Sequence, residues 1–268
     1  MEGHHPSPLV RDPYAAAFVS AAAPQLPGRI PVTPEEAAGD PDFPWLGVAN
    51  YVAVRSRFFD EFFAAAARAG LWQAVILAAG LDTRAFRLRW MPGATVYEVD
   101  APMVLKFKDS VLAGQGAVAR CDRRTVIADL RADWPTALRE AGFNPAEPTA
   151  WLAEGLFPYL GDSVMSSVLG HVHRLSAPGS RIAADHMPGG TSAIGGSLGR
   201  GVAERGGEEL LAIWSTDQQH DPASWLLGHG WTAGVSRVAS VAGAYKRPMT
   251  ELQPENLRVM QLITGELG

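Results

Sequence analysis

The 268-residue sequence contains one cysteine and no long apolar run. Cys121 has no cysteine partner within the chain, so an internal disulfide is impossible and a cysteine-based metal site is not expected. No apolar stretch approaches the roughly 18 residues that a membrane-spanning helix requires. The first residues also lack the basic and apolar regions of a secretory signal. We therefore expect a soluble cytoplasmic protein without a membrane anchor.

Positive charge is scarce as well. Lysine and arginine number 23 against 28 acidic residues, which gives a net charge of −5 and argues against a nucleic-acid-binding protein. Apolar residues make up 47% and charged residues 19% of the chain, so a sizeable core is expected and disorder is not. The length suits one large α/β domain, with or without a smaller lid.

The most informative stretch runs from Ala74 to Asp100. It opens with the apolar run AVILA, which is typical of a strand buried on both faces. Ala79 and Gly80 follow, and their small side chains allow a ligand to lie directly against the backbone. A second predicted strand, 95–99, stops at Asp100, which lies 20 residues after Gly80. In a βαβ unit of about this length the acid reaches the ribose hydroxyls of a bound nucleoside.

Acidic residues follow four of the predicted strands. The strands are predicted at 74–78, 95–99, 125–128, 149–153 and 181–184, with helices between them, and the last four are followed by Asp100, Asp129, Glu154 and Asp185. Ligands of open α/β sheets bind at the carboxyl ends of the strands. Four acids in register therefore predict a binding site at this edge. Beyond it we expect a glycine-rich loop at 188–207, short helices at 208–214 and 224–227, and strands at 231–235 and 258–264.

The first 50 residues are predicted to form an N-terminal cap or arm over the active site, and residues 51–268 to form the main domain. Asp12 and Pro13 are expected to begin a short helix as its N-cap and first residue. The segment 24–44 contains six prolines, which favours an extended loop that either covers the cofactor or is disordered. An amphipathic helix is predicted from Asn50 to Ala69.

The turn at 78–83 helps to distinguish between nucleoside cofactors. A nicotinamide dinucleotide requires a turn of the GxGxxG type to hold its pyrophosphate. Here the turn contains one glycine, and Asp82 would place negative charge near the phosphates. S-adenosylmethionine carries no phosphate, and its sulfonium is positive, so acidic residues around it are favourable. On grounds of charge we expect the methyl donor.

Four motifs then carry a resemblance to a known family. AVILAAGLDTRAFRL, YEVDAPMVLKFK, ADLRADWPTALREAGFNP and PTAWLAEGLFPYL resemble, in order and spacing, the leucine carboxyl methyltransferase family, and most closely its bacterial branch. The match extends from about Asp12 to Asp185. It implies the α/β fold of class I methyltransferases, Rossmann-like, with a mostly parallel seven-stranded sheet, helices on both faces and an N-terminal cap.

The resemblance also implies roles for individual residues. In the family pattern, one helix arginine meets the methionine carboxylate of the cofactor, three loop residues lie against the cofactor, and one acid binds its ribose. Two further residues bracket the adenine, and a second acid lies near the methionyl amine. In the order of these roles, the matching positions here are Arg55; Ala78, Ala79 and Gly80; Asp100; Asp129 and Leu130; and Glu154. The sequence departs from the pattern at Ala78, where other members often have glycine, and in a short segment before the DPYAAAF motif.

The acceptor decides whether a general base is needed. A carboxylate is already ionised at pH 7 and needs no base, whereas a hydroxyl needs one. His186, at the end of the fifth predicted strand, is the candidate base, and a loop histidine without a role is the alternative. Tyr159 and Trp45 are candidates for the acceptor pocket or for plain packing. His171 and His173 lie two apart on a predicted helix and face different directions, so no metal site is expected.

We therefore predict an S-adenosylmethionine-dependent O-methyltransferase that acts on a small molecule, with a carboxylate of secondary metabolism as the leading candidate, and that releases S-adenosylhomocysteine. Three alternatives stay open at this point. They are a protein C-terminal carboxyl methyltransferase, an NAD-dependent oxidoreductase and a non-catalytic module that binds the cofactor.

Overall fold

The computed structural model of the protein describes residues 1–25, 30–40, 43–188, 220–247, 249 and 260–268. One seven-stranded sheet runs through its centre. The strands are β1 (Gln73–Leu77), β2 (Thr95–Asp100), β3 (Asp122–Ile127), β4 (Thr149–Ala153), β5 (Arg181–His186), β6 (Gly234–Arg237) and β7 (Gln261–Glu266).

The sheet has the order β3-β2-β1-β4-β5-β7-β6. The first five strands are parallel, and β7 runs antiparallel between β5 and β6. Every residue of β1 and β4 is buried, in keeping with the apolar runs AVIL and AWLA at the centre of the sheet. The predicted mostly parallel seven-stranded sheet is confirmed.

Helices cover both faces of the sheet. They are α1 (Ala15–Ala22), α2 (Pro34–Ala38), α3 (Trp45–Arg68), α4 (Arg84–Arg87), α5 (Pro102–Gly114), α6 (Trp134–Glu140), α7 (Asp162–Arg174), α8 (Pro222–Gly228) and α9 (Val238–Ala244). Strand β1 shows how the two layers form. Ala74 and Ile76 pack with α1, α3, α5 and α9, while Val75 and Leu77 pack with α6, α7 and α8. This alternation follows from the two-residue period of a strand.

The N-terminal segment differs from its prediction. Helix α1 begins at Ala15, because the Asp12 carboxylate accepts hydrogen bonds from the Tyr14 amide (2.9 Å) and the Thr83 hydroxyl (2.7 Å) and so does not cap the helix. The predicted extended loop contains α2, which starts at Pro34 and is capped by Thr33, as a Thr-Pro pair favours. Residues 26–29 and 41–42 of that loop lie outside the described ranges. Helix α3 starts at Trp45, so the predicted domain boundary after residue 50 lies inside a continuous helix.

Three strands begin three residues away from their predicted starts, and one of them, β7, is 261–266 rather than 258–264. Strand β3 begins at Asp122, within the predicted polar turn at 120–124, because its charged side chains form ion pairs along the edge of the sheet. Strand β6 is 234–237 rather than 231–235, and Trp231 makes only an isolated bridge to Leu267. Helix α9 was not predicted. The predicted glycine-rich loop after residue 188 and the helix at 208–214 lie among residues outside the described ranges, as do residues 258–259 of the last predicted strand.

Membrane insertion by a helix is not supported within the described ranges, where no helix combines the length and apolarity that crossing a bilayer requires.

Candidate functional site

A cavity of about 480 Å³ opens at the carboxyl ends of β1 and β4. Most of its lining comes from helix α3, from the end of β1 and the turn that follows it, from α4 and from the loop after β4, and Asp12 of the N-terminal segment completes it. The described residues of its lining are Asp12, Val52, Arg55, Ser56, Ile76, Ala78, Ala79, Gly80, Leu81, Asp82, Thr83, Arg84, Arg87, Glu154, Gly155 and Tyr159.

The turn after β1 bends the backbone towards the end of β2. Ala78 and Gly80 both have positive φ angles, +48° and +45°. The Gly80 amide donates a hydrogen bond to Asp100 Oδ2 at 2.6 Å, and the Ala101 amide donates to Oδ1 of the same carboxylate at 2.6 Å. Asp100 therefore fastens the turn to β2. This is the juxtaposition that the 20-residue separation predicts.

Arg55 projects from α3 to the ends of two strands. Its Nε donates to Glu154 Oε1 at 2.9 Å and its Nη1 to Asp185 Oδ2 at 3.1 Å. Burial opposes the charged form of Arg55, but the neighbouring phenol and carboxylates outweigh it and raise the pKa of the guanidinium. Among the described residues none accepts a hydrogen bond from Nη2, so this nitrogen is available to an anionic group in the cavity.

Asp185 organises the loop after β4. Its Oδ1 accepts from the Gly155 amide at 2.6 Å, and its Oδ2 accepts from the Tyr51 hydroxyl at 3.3 Å and from Arg55. Burial raises the pKa of Tyr51, so its phenol stays protonated and remains a donor. Asp185 thus joins α3 to the ends of β4 and β5.

Arg84, the first residue of α4, is 2% exposed and contacts three carboxylates. Its Nε donates to Asp60 Oδ1 at 2.8 Å, and its Nη1 donates to Glu154 Oε2 at 2.7 Å and to Asp82. Burial alone would lower the pKa of Arg84, but the surrounding carboxylates raise it. The neighbouring Arg87 donates from Nη1 to Asp60 Oδ2 at 2.5 Å and from Nε to the Thr83 hydroxyl at 3.1 Å.

We call these connected side chains the arginine–carboxylate network. Within the described part of the chain it contains five carboxylates and three guanidinium groups: Asp12, Asp60, Asp82, Glu154 and Asp185, with Arg55, Arg84 and Arg87. Three of these carboxylates and all three guanidinium groups line the cavity, while Asp60 and Asp185 lie behind the lining. The network as a whole therefore carries two more acids than arginines, which favours a cationic ligand nearby.

Several predicted site residues meet in this cavity, and others lie apart. Arg55, the loop 78–80, Glu154 and Tyr159 line it, and Asp100 holds its turn. Asp129 lies at the end of β3 next to the end of β2, where the Arg131 guanidinium lowers the pKa of its carboxyl through two contacts to Oδ2 and Oδ1 of 2.8 and 3.0 Å. Leu130 is half-buried against the layer of α6 and α7. The cofactor roles of these residues stay predictions.

Trp45 and His186 lie outside the cavity lining that the structure describes. The Trp45 indole donates to Asp40 Oδ2 at 2.9 Å, and its ring packs 4.4 Å from that of Phe43. His186 follows Asp185 in β5, so strand alternation turns it to the opposite face, towards α7 and α8. The structure thus gives neither residue a place beside Glu154.

Sequence reasoning did not assign Asp12, Tyr51 or Arg84 to the site. Arg84 stands in the turn motif LDTR, so its place after the glycine was a signal that could have identified it. Asp12 gave no local signal, because its partner Thr83 is 71 residues away.

Comparison with known proteins identifies the family. The family model for leucine carboxyl methyltransferase matches residues 1–173. A protein of Saccharopolyspora erythraea is 43% identical over 96% of this chain and 88% of its own length, and one of Mycolicibacterium smegmatis is 46% identical over 94% and 87%. Both are named, provisionally, as S-adenosyl-L-methionine-dependent methyltransferases.

Solved structures share the fold at low sequence identity. A DUF574-family protein from Streptomyces avermitilis aligns over 94% of this chain and 97% of its own, with a TM-score of 0.60 and 17% identity. A methyltransferase-like protein from Thermobifida fusca aligns over 94% of each chain, with a TM-score of 0.55 and 20% identity. Because its family model covers more than half of its length and its relatives almost all of it, the chain belongs to the leucine carboxyl methyltransferase family of S-adenosylmethionine-dependent methyltransferases.

Proposed function

We propose that this methyltransferase acts on an oxygen atom of a small molecule, and that the accepting group is a carboxylate. The observation that carries the proposal is that the carboxylates lining the cavity are already engaged. Glu154 is held by two arginines, Asp82 by Arg84, and Asp12 by Thr83. A carboxylate acceptor is ionised at pH 7 and requires no proton transfer from the protein.

The residues of the cavity fit S-adenosylmethionine. When bound, the cofactor supplies an electrophilic methyl group on a positively charged sulfur. In this proposal Gly80 and its neighbours allow close approach to the backbone, Asp100 accepts from the ribose, Glu154 faces the methionyl amine, and Arg55 offers Nη2 to the methionyl carboxylate. The acidic surplus of the network favours the cationic donor over the neutral product that leaves.

A hydroxyl acceptor is the rival. It would require a base, and His186 was the candidate from sequence. His186 is 3% exposed and lies on the face of β5 away from Asp185, and burial lowers its pKa. The obstacle to His186 as a base is its position on the face of β5 away from the cavity.

Cofactor binding can be tested first by calorimetric titration of the purified protein with S-adenosylhomocysteine and, in parallel, with NAD. We expect micromolar binding of S-adenosylhomocysteine and no heat from NAD. NAD binding without S-adenosylhomocysteine binding would contradict the assignment of the cavity.

The acceptor class can be tested with a panel of small carboxylic acids and their matching alcohols and phenols, with S-adenosylhomocysteine release as the readout. A peptide ending in leucine belongs in the panel, since the family is named for that group. We expect turnover of carboxylic acids at a rate that is flat within about twofold from pH 6 to 8. Turnover of alcohols alone, rising with pH and abolished by His186→Gln, would overturn the proposal.

A further inference from the structure

Arg84 joins three parts of the chain that surround the cavity. Asp60 belongs to α3, Asp82 to the turn after β1, and Glu154 to the loop after β4, and all three carboxylates meet one buried guanidinium. A guanidinium has five donors in a rigid plane and can serve several acceptors at once, which a lysine ammonium on its flexible stem does less well.

We propose that Arg84 is a positioning residue that fixes the Glu154 carboxylate for the methionyl amine of the cofactor. The inference rests on the proposed role of Glu154. Arg84 Nη1 donates a hydrogen bond to Glu154 Oε2 at 2.7 Å, and Arg55 Nε donates one to Oε1 at 2.9 Å, so both oxygens of the carboxylate are fixed. Each oxygen has a second lone pair, and these are left in a fixed direction for an additional donor.

The two arginines are not equivalent in this arrangement. Arg55 is half-buried and has a nitrogen open to the cavity, whereas Arg84 is enclosed, with Asp60, Asp82 and the Ser56 carbonyl around it. Arg55 can therefore donate to Glu154 through Nε and to a ligand through Nη2. Arg84 supplies the contact to Glu154 that does not change when the cofactor arrives, and such preorganisation strengthens binding of the amine.

The inference can be tested with two ligands that share the adenosine and differ in the amino-acid end. S-adenosylhomocysteine has the methionyl-type amine and 5′-methylthioadenosine lacks it. For Arg84→Gln we expect about a ten- to hundredfold weaker affinity for S-adenosylhomocysteine, the scale of a lost hydrogen bond to a charged group. The affinity for 5′-methylthioadenosine should stay within about twofold, since that ligand does not use Glu154.

Three variants make the result specific. Arg87→Gln removes the neighbouring, half-buried arginine, which also binds Asp60 but does not contact Glu154, so it should change both affinities by the same factor. Arg84→Lys keeps the charge on a single nitrogen and should restore part of the selectivity for S-adenosylhomocysteine; it also serves as the test if Arg84→Gln does not fold. Glu154→Gln should lose the selectivity as Arg84→Gln does.

The outcomes separate the two claims. Equal weakening of both ligands in Arg84→Gln would show that Arg84 only supports the turn, and would overturn the inference. Loss of selectivity in Glu154→Gln but not in the Arg84 variants would overturn it while leaving the proposed role of Glu154 intact. Unchanged selectivity in Glu154→Gln would refute the role of Glu154, and the inference about Arg84 would fail with it.

Discussion

At the scale of single residues, the turn after β1 depends on backbone conformations that most residues avoid. Ala78 and Gly80 both lie in the left-handed region, with φ angles of +48° and +45°. Glycine adopts this region without strain, whereas an alanine pays about 1–2 kcal/mol. The departure at Ala78 that the family resemblance brought out is therefore a strained position in the structure.

We predict that Ala78→Gly leaves the free energy of unfolding unchanged or raises it by up to about 1 kcal/mol, because relief of the strain offsets the greater entropy of glycine in the unfolded chain. Urea denaturation measures the effect. Ala64→Gly is the control, since Ala64 is an exposed residue one turn before the end of α3 and its replacement should cost up to about 1 kcal/mol. Equal losses in the two variants would show that Ala78 is not strained.

Asp100 fastens the same turn through its contact with the Gly80 amide. We predict that Asp100→Ala weakens binding of S-adenosylhomocysteine by about 1.5–3 kcal/mol, because the variant loses charged hydrogen bonds to the ribose and to the turn. Calorimetric titration measures the change. Asp122→Ala, an exposed acid on the neighbouring strand that pairs with Arg124, should bind as the wild type does. Unchanged affinity in Asp100→Ala would remove Asp100 from the site.

At the scale of elements, a buried ion pair ties α5 to the sheet. Lys108 of α5 and Glu98 of β2 are both fully buried, and Nζ lies 2.8 Å from Oε2. Arg123 of the edge strand β3 contacts the same oxygen at 2.7 Å. Burial raises the pKa of the Asp82 carboxyl, but the charges of Arg84 and, to a smaller extent, Lys108 lower it. The pair therefore links the packing of α5 to the charge of the cavity.

We predict that Lys108→Met lowers the free energy of unfolding by about 3–5 kcal/mol, because Glu98 then keeps a buried charge with one partner fewer. Adding Glu98→Gln to that variant should recover part of the loss, and urea denaturation of the two singles and the double measures the coupling. Lys106→Met, at an exposed position of the same helix, should change stability by less than about 0.5 kcal/mol. Similar losses in Lys106→Met and Lys108→Met would contradict the role of the buried pair.

At the scale of the whole molecule, the N-terminal residues are bound to distant parts of the chain. Arg247, which is 4% exposed and follows α9, donates to Glu2 Oε2 at 2.8 Å and to the Ser7 carbonyl at 2.9 Å. At the other end of this segment Asp12 is held by Thr83 beside the cavity. The first residues are thus joined both to the C-terminal half and to the turn after β1.

His186 gives the whole fold a dependence on pH. Its ring is buried between β5 and the beginnings of α7 and α8, and burial lowers its pKa despite the nearby Asp221, Asp185 and Asp162. The unfolded chain takes up a proton near pH 6.5, and the folded protein resists it. Stability from this residue is therefore complete above about pH 6.5 and is lost as pH falls towards the lowered folded-state pKa.

We predict that His186→Gln reduces the loss of stability between pH 7 and pH 5, as measured by the midpoint of thermal unfolding at the two values. His229→Gln, which replaces an exposed histidine, should lose as much stability between pH 7 and pH 5 as the wild type does. An equal loss in wild type and His186→Gln would show that His186 does not resist protonation in the folded state.

The sequence by itself determined much of the local structure and the residue types at the edge of the sheet where the cavity opens. The apolar runs of β1 and β4, the small residues of the turn and the acids after the strands are local patterns, and an apolar run or a glycine has the same preference wherever the chain leads. The strand 149–153 was predicted with the bounds that the structure has. Polar and proline-rich composition led to wrong predictions at two places: the start of β3 was predicted as a turn, and helix α2, capped by Thr33, was predicted as part of a loop.

Tertiary structure alone decided which of these residues meet. Glu154 and Arg84 are 70 residues apart, and Asp12 and Thr83 are 71 apart, so only the order of the strands brings them together. The register of β5 in the sheet decides which helix layer His186 faces, because a shift of one residue exchanges the two faces of a strand. Contacts of this kind depend on the relative positions of several elements, and no local pattern in the chain encodes that geometry.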